Sequence, residues 1–418
     1  MAPLTSWVPG ADGSGFPAEH LPYGVAVPPD GRPRPVVRIG DRGLDLDRLA
    51  HDDVAGLGDV LGAAAARETL DGVFALGPSG WAELRARLAE VVCDAGHRPA
   101  AEAALVDLAG CTMVLPFTVA DYVDFYSSLE HATNLGRLFR PDGDPLLPNW
   151  RHLPVAYHGR AGTVVVSGTP VLRPAGQRRA DGGIAFGPTT RLDIELEVGT
   201  VIGQPSTPGR AVPVAAAMDH VFGVALVNDW SARDIQAWEY QPLGPFLGKS
   251  FATSVAAWIT PLAALGHCRV PGPAQDPAPL PYLRRAEPWG LDLALEVELR
   301  PASGGGGVVS RTTSADLYWT VPQQIAHLTV NGAHLRRGDL LASGTVSGRD
   351  PGSEGSLIER TRGGDEPLVV GGATRTFLED GDEVVLRATA AAGEGVVLTL
   401  GEVAGRIAAW PGPDGAGT

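Results

Sequence analysis

Residues 222–251 read Phe-Gly-Val-Ala-Leu-Val-Asn-Asp-Trp-Ser-Ala-Arg-Asp-Ile-Gln-Ala-Trp-Glu-Tyr-Gln-Pro-Leu-Gly-Pro-Phe-Leu-Gly-Lys-Ser-Phe. The apolar run Phe222 to Val227 reads as a buried strand. It ends on Asn228-Asp229, where a carboxylate can face a cleft. Ser231-Ala-Arg-Asp234 has the spacing of a capping box, which makes Ser231 the expected N-cap and leaves Asp229 free. In the helix that follows, Arg233, Gln236 and Tyr240 share one face and form a polar wall. Pro242 to Ser250 then resembles a phosphate-binding loop, but Gly244 to Gly248 is one residue too short for GxxxxGK[ST]. No buried strand leads directly into it, so nucleotide binding is rejected. The loop carries Lys249, the single lysine among 33 basic residues. A compact ammonium on a Gly/Pro-stiffened loop suits stabilisation of an oxyanion or enolate better than a forked guanidinium does.

Working outward, Arg191-Leu-Asp-Ile-Glu-Leu-Glu-Val-Gly199 alternates apolar with acidic residues. As a strand it places Glu195 and Glu197 on the same face, close enough to share one cation; taken alone, it would read as a wet acidic face. Asp121-Tyr-Val-Asp124-Phe-Tyr126-Ser-Ser-Leu-Glu-His131 offers a metal ligand, a substrate contact and a general base within a short span. Asp124, Glu195, Glu197 and Asp229 are all oxygen donors with no cysteine among them. That set argues for a hard cation, Ca²⁺ or Mg²⁺, over zinc.

The remaining composition narrows the class. A net charge of −15 argues against nucleic acid as a partner, because phosphate binding needs clustered positive charge. Three widely spaced cysteines without a CxxC argue against a disulfide framework or zinc site and fit a reducing cytoplasm. No secretory pattern opens the chain, and no apolar stretch is long enough to span a membrane. The length of 418 residues favours two domains. Residues 1–35 read as an irregular Pro/Gly-rich arm, Val36–Leu46 as a hairpin, and Trp81, Leu84, Leu88, Val91 and Val92 as one face of a helix ending near Gly96. The first 115 residues thus read as a small α+β domain without catalytic features. From Leu115 onward, short strands alternate with turns and the texture is mainly β.

Taken in order, DYVDFYSS (121–128), HATN (131–134), LLPNW (146–150), YHGRA (157–161), ELE (195–197), NDWSARDIQAWEY (228–240), PLGPFLGKS (242–250), GDLLASGT (338–345) and TRTFLEDGDEV (374–384) resemble the fumarylacetoacetase family. LPYGV (21–25) extends the similarity toward the N-terminus. The resemblance implies a small SH3-like β-barrel domain (1–115) and a larger mixed β-sandwich roll (116–418), paired as a homodimer. It implies metal-dependent cleavage of a carbon–carbon bond in a diketo acid, fumarylacetoacetate giving fumarate and acetoacetate in tyrosine and phenylalanine breakdown. Asp124, Glu195, Glu197 and Asp229 match calcium ligands. Asp229, Lys249 and Thr253 match positions around a second, magnesium-type site, and Mn²⁺ is an allowed substitute. His131 matches the base that activates water and Glu359 the carboxylate that orients it. Arg233, Gln236 and Lys249 match groups that stabilise developing negative charge. Tyr126, Arg140, Tyr157, Gln236, Tyr240 and Thr345 match substrate contacts. The family has an aromatic where this chain has Glu354, and 301–307 and 360–373 diverge, which bears on loop shape. An acylpyruvate hydrolase or oxaloacetate decarboxylase of the wider superfamily, usually shorter, and a silent binding paralogue are the alternatives.

Overall fold

The computed structural model describes residues 3–29, 31–285, 287, 289–393 and 395–412. It is mainly β, with an N-terminal domain followed by a larger C-terminal one. All nine residues of the strand Val221–Asp229 are buried, so the apolar run does form the strand expected of it. That strand pairs antiparallel with Leu196–Ile202 on one side, Leu196 opposite Asn228. On the other it pairs with Thr253–Val255 and Trp258–Pro261, Asp229 opposite Thr253. Beyond Leu196–Ile202 come Leu340–Ala342, then Tyr122–Phe125 with Ala342 opposite Asp124, then Ala156–His158 with Asp124 opposite Tyr157. Neighbouring strands of one sheet therefore deliver acidic residues to a common region. A second sheet runs Gly307–Thr313, Ala294–Arg300, Glu383–Ala391, Val397–Ala408 and Val171–Leu172. The two approach closely where Trp230 lies against Gly405, whose missing Cβ leaves room for the indole.

The N-terminal region departs from expectation in two ways. Residues 1–35 are not all irregular: Tyr23–Val27 is a buried strand bracketed by Pro22 and Pro28, and Pro/Gly density averaged over the segment hides it. This strand pairs with Arg34–Ile39, with Thr112–Val114 and, through Tyr23 opposite Ile259, with the large sheet. The expected hairpin is present as Arg34–Ile39 and Arg42–Asp45, with Leu105–Asp107 outermost. These strands extend the large sheet; no pairing among the described residues closes them into an SH3-like barrel.

The expected helix spans Gly77–Cys93 and buries Leu84, Leu88, Val91 and Val92. It does more than fill its own core. Trp81 meets Phe222 edge-on at 5.3 Å between ring centroids, alongside Phe74 at 4.7 Å and Tyr23 at 5.2 Å. Three N-terminal rings thus grip the start of the strand that ends at Asp229.

Candidate active site

Asp124, Glu195, Glu197 and Asp229 each bring an oxygen to within 4.8 Å of the others. All four are buried, so the acidic face of the 191–199 run is interior and not wet. Its strand is broken: Leu192–Asp193 pairs with Ser231–Ala232, and Leu196–Ile202 resumes on the main sheet. That first pairing also displaces the helix start. The helix is Arg233–Glu239 with Ala232 at its N-cap and no side-chain cap, so the capping box on Ser231 is not formed. The Ser231 hydroxyl donates to the Asp229 carbonyl, and Asp234 instead accepts from Thr189 and Thr190. Asp229 is spared capping, as expected, but it is fully engaged: Tyr157 and Lys249 donate to Oδ2 at 2.7 and 2.9 Å, and Thr253 to Oδ1 at 2.9 Å.

Glu195 is clamped between Arg233 at 2.7 Å and Lys249 at 2.5 Å. Burial alone would raise its carboxyl pKa, but those two cations outweigh burial and hold it below the usual carboxylate range. The same contacts hold the Lys249 ammonium above its ordinary value despite burial, through Asp229 and Glu195. A protonated amine has three donors and no lone pair, and Lys249 donates to both Glu195 and Asp229 as a counter-charge within the cluster.

The other two carboxylates are different. Asp124 Oδ1 and both oxygens of Glu197 are buried without a hydrogen-bond partner. Burial and then the neighbouring carboxylates push both residues well above the carboxylate range. Buried carboxylate oxygens with no donor are costly unless a cation meets them. A four-carboxylate, all-oxygen set is the chemistry of a hard divalent cation, so the residues fit one.

A second group lies on the helix Leu129–Phe139, capped by Ser128, which accepts from the His131 backbone N–H. His131 Nδ1 is 2.7 Å from Glu359 Oε2, and both residues are buried. Asn134, Ser347 and Ser356 also donate to Glu359. Burial would raise Glu359; His131 and these donors hold it below its ordinary value. Tyr126 stands edge-on to His131 at 5.2 Å. Burial raises the Tyr126 pKa, with smaller influences from the charges of Glu359, Glu195, Arg233 and Arg140.

The remaining expected residues divide. Gln236 accepts from Arg233 at 3.3 Å and joins the cluster through it. Thr345 is buried with a free hydroxyl, following Gly344, whose positive φ and close approach to the Phe125 carbonyl exclude a side chain. Arg140 follows the helix and donates to the Pro145 carbonyl. Tyr240 is exposed, its hydroxyl accepting from Gln241, so the polar wall is completed by Arg233 and Gln236 alone. Among the described residues, Glu354 makes only local bonds, to the Gly352 N–H and Arg360.

One residue passed over in the sequence is structurally central. Asp193 accepts from Arg233 Nε at 2.8 Å and from the backbone N–H groups of Leu357 and Ile358 at 2.7 and 3.0 Å. It ties the arginine that grips Glu195 to the short helix Leu357–Arg360 that carries Glu359. Its only sequence signal was its place in the alternating run.

Comparison with known proteins agrees with this geometry. A model described as Fumarylacetoacetate (FAA) hydrolase C-terminal matches residues 121–408, and one described as Fumarylacetoacetase N-terminal matches 19–116. The chain belongs to the fumarylacetoacetase family. Fumarylacetoacetase of Rattus norvegicus is 45% identical over 415 residues, covering 96% of this chain and 98% of that protein. Fumarylacetoacetase of Arabidopsis thaliana is 42% identical over 426 residues, covering 98% and 100%. Among solved structures, the fumarylacetoacetate hydrolase of Exiguobacterium antarcticum aligns with a TM-score of 0.55 at 18% identity, covering 93% of this chain and 99% of that one, a likeness of fold.

Proposed function

We propose that this protein hydrolyses the carbon–carbon bond between the two carbonyls of a β-diketo acid, with fumarylacetoacetate as substrate and fumarate and acetoacetate as products. The observation that carries the reading is a buried four-carboxylate cluster with partnerless oxygens on Asp124 and Glu197, in a chain that also buries a hydrogen-bonded His131–Glu359 pair. Asp124, Glu195, Glu197 and Asp229 would hold Ca²⁺ or Mg²⁺, with Mn²⁺ as a substitute, and such an ion supplies Lewis acidity toward diketone oxygens. Lys249 and Thr253 would fix the Asp229 carboxylate from opposite oxygens.

The rest of the chemistry belongs to the chain. His131, its Nδ1 held by Glu359, takes a proton from water at Nε2. The hydroxide adds to the fumaryl carbonyl carbon. The bond to the neighbouring methylene then breaks, its electron pair passing to the acetoacetate fragment as an enolate. Lys249, with Arg233 and Gln236 behind it, stabilises that charge as it develops. Protonation of the enolate carbon releases acetoacetate and restores His131. Tyr126, Arg140, Tyr157, Tyr240 and Thr345 contact the substrate in this reading; for Arg140 and Tyr240, that contact requires the side chains to leave their present partners.

A homodimer belongs to the same reading, and Leu243, Phe246 and Leu247, exposed together on the loop before Lys249, support it. So does work in the cytoplasm, supported by three free cysteines. The same reading sets the domain boundary at 115/116, which the separate family matches over 19–116 and 121–408 support. The test is a spectrophotometric assay of fumarylacetoacetate loss with wild type and His131→Ala. Turnover by wild type, reduced roughly 10²–10⁴-fold in the variant, is the expected result. Absence of wild-type turnover with metal present refutes the reading.

A further inference from the structure

Asp193 is fully buried, and its carboxylate is saturated with donors. Oδ1 accepts from the backbone N–H groups of Ile194 at 2.8 Å and Leu357 at 2.7 Å. Oδ2 accepts from the Ile358 N–H at 3.0 Å and from Arg233 Nε at 2.8 Å. A carboxylate offers about four lone-pair sites, so this one has no capacity left for a metal ion, a water or a substrate proton. Its partners lead in two directions. The short helix Leu357–Arg360 has no side-chain cap of its own, and the Ser356 hydroxyl donates to Glu359 instead. Asp193 therefore satisfies the first two N–H groups of that helix, which one turn of helix cannot do for itself. In the other direction, Arg233 spends Nε on Asp193 and Nη1 on Glu195 and Gln236. Arg233 Nη2 is buried without a partner among the described residues.

We propose that Asp193 is a positioning residue for the reaction, holding Arg233, with its free Nη2, in register with the Glu359–His131 pair. The proposal rests on the hydrolase reading and deepens it. In that reading His131 activates water and Arg233 stabilises the charge that develops on the same substrate, so the spacing between the two must match that substrate. A misplacement of about 1 Å at either costs roughly 10²-fold. Asparagine at 193 keeps the shape but offers one acceptor oxygen and an NH2 group. With its oxygen on Ile194 and Leu357, the NH2 confronts two donors, Arg233 Nε and the Ile358 N–H. Turned the other way, it confronts the Ile194 and Leu357 N–H groups. Either orientation breaks one of the two links. The backbone contacts that bring these elements together do not involve the side chain: Asp193 pairs with Ser231 across the strands, and the Arg233 N–H donates to the Arg191 carbonyl at 3.0 Å.

The experiment is steady-state kinetics on fumarylacetoacetate with metal-loaded wild type, Asp193→Asn, Asp193→Glu, Glu359→Gln and the double variant Asp193→Asn/Glu359→Gln. Circular dichroism and metal content are measured on each. Asp193→Asn is expected to stay folded and metal-loaded, to lower kcat roughly 10²-fold and to move KM by less than about threefold. Asp193→Glu keeps the charge one methylene out of place and is expected to recover part of that loss. In the Glu359→Gln background, Asp193→Asn is expected to cost no more than about tenfold, because a carboxylate already lost cannot be displaced again. A residue that merely lowers the folded fraction gives the same loss in both backgrounds. Near-wild-type kcat or loss of metal in Asp193→Asn, a penalty confined to KM, the full loss repeated in the double variant, or unfolding of both Asp193 variants overturns the proposal. Any of these beside an active wild type leaves the hydrolase reading standing, whereas an inactive wild type removes both.

Discussion

Replacing Glu359 by glutamine removes a charge from the buried pair with almost no change of shape. The magnitude follows from what the carboxylate receives. Oε2 accepts from His131 Nδ1 at 2.7 Å, Ser347 Oγ at 3.0 Å and Ser356 Oγ at 2.6 Å, while Oε1 accepts from Asn134 Nδ2 at 3.0 Å. A glutamine keeps one acceptor oxygen, which can stay on the His131 side, where the serine hydroxyls can rotate. Its NH2 group then faces Asn134, whose amide can turn to present oxygen. Glu359→Gln is therefore expected to fold and to keep the imidazole tautomer. It loses the negative charge that stabilises His131 once it takes a proton in a site almost closed to water. Removing the acid behind a catalytic histidine belongs with losses of roughly 10²–10⁴ in kcat. At about 1.36 kcal/mol per decade, that is about 2.7–5.4 kcal/mol of transition-state stabilisation. The assay is kcat and KM on fumarylacetoacetate, with circular dichroism for folding and elemental analysis for bound metal. A folded, metal-loaded Glu359→Gln protein with kcat within about threefold of wild type refutes the role given to this pair.

Other consequences follow from the same geometry. Lys249→Arg puts a larger, forked group where Nζ now sits 2.5 Å and 2.9 Å from two carboxylates, and kcat should fall roughly 10²-fold with KM less affected; near-full kcat would remove Lys249 from the catalytic set. Phe222→Ala empties the contact with three N-terminal rings and should cost about 3–5 kcal/mol in urea unfolding, a cost under about 1 kcal/mol contradicting the buttressing role. Chelator-stripped protein should melt below the Ca²⁺- or Mg²⁺-loaded form, and the gap should widen from pH 5 to pH 8. The sign follows from Asp124 and Glu197, whose folded pKa values are raised: in stripped protein their contribution is intact below the unfolded value of roughly 4 and is lost as pH rises through the folded values. A bound cation relieves that loss; a gap independent of pH contradicts it.

Much of the site was legible because its chemistry is local. The run 222–229 announced a buried strand by hydropathy, and Glu195 and Glu197 announced a shared face by their spacing. The convergence of Asp124 on Glu197 was not legible. It depends on Leu340–Ala342 lying between their strands, with Ala342 opposite Gly199 on one side and opposite Asp124 on the other, pairings of residues far apart in the chain. Asp193 was missed because its partners are an arginine on another element and the backbone N–H groups of Ile194, Leu357 and Ile358, which leave no residue-type pattern. Ser231 was misread because strand pairing extended through Ala232 and overrode a local capping preference. Tyr23–Val27 was lost in a Pro/Gly-rich average, although its prolines lie outside the strand.

The most direct measurement is product analysis of fumarylacetoacetate incubated with protein that has been stripped of metal and then reloaded. The expected result is fumarate and acetoacetate in equal amounts from the reloaded wild type, almost none from the stripped protein, and almost none from Glu197→Gln, which loses an anionic ligand of the acidic cluster. Equal turnover by verified metal-free protein, or an intact substrate after incubation with the reloaded wild type, would contradict a metal-assisted hydrolase at this site.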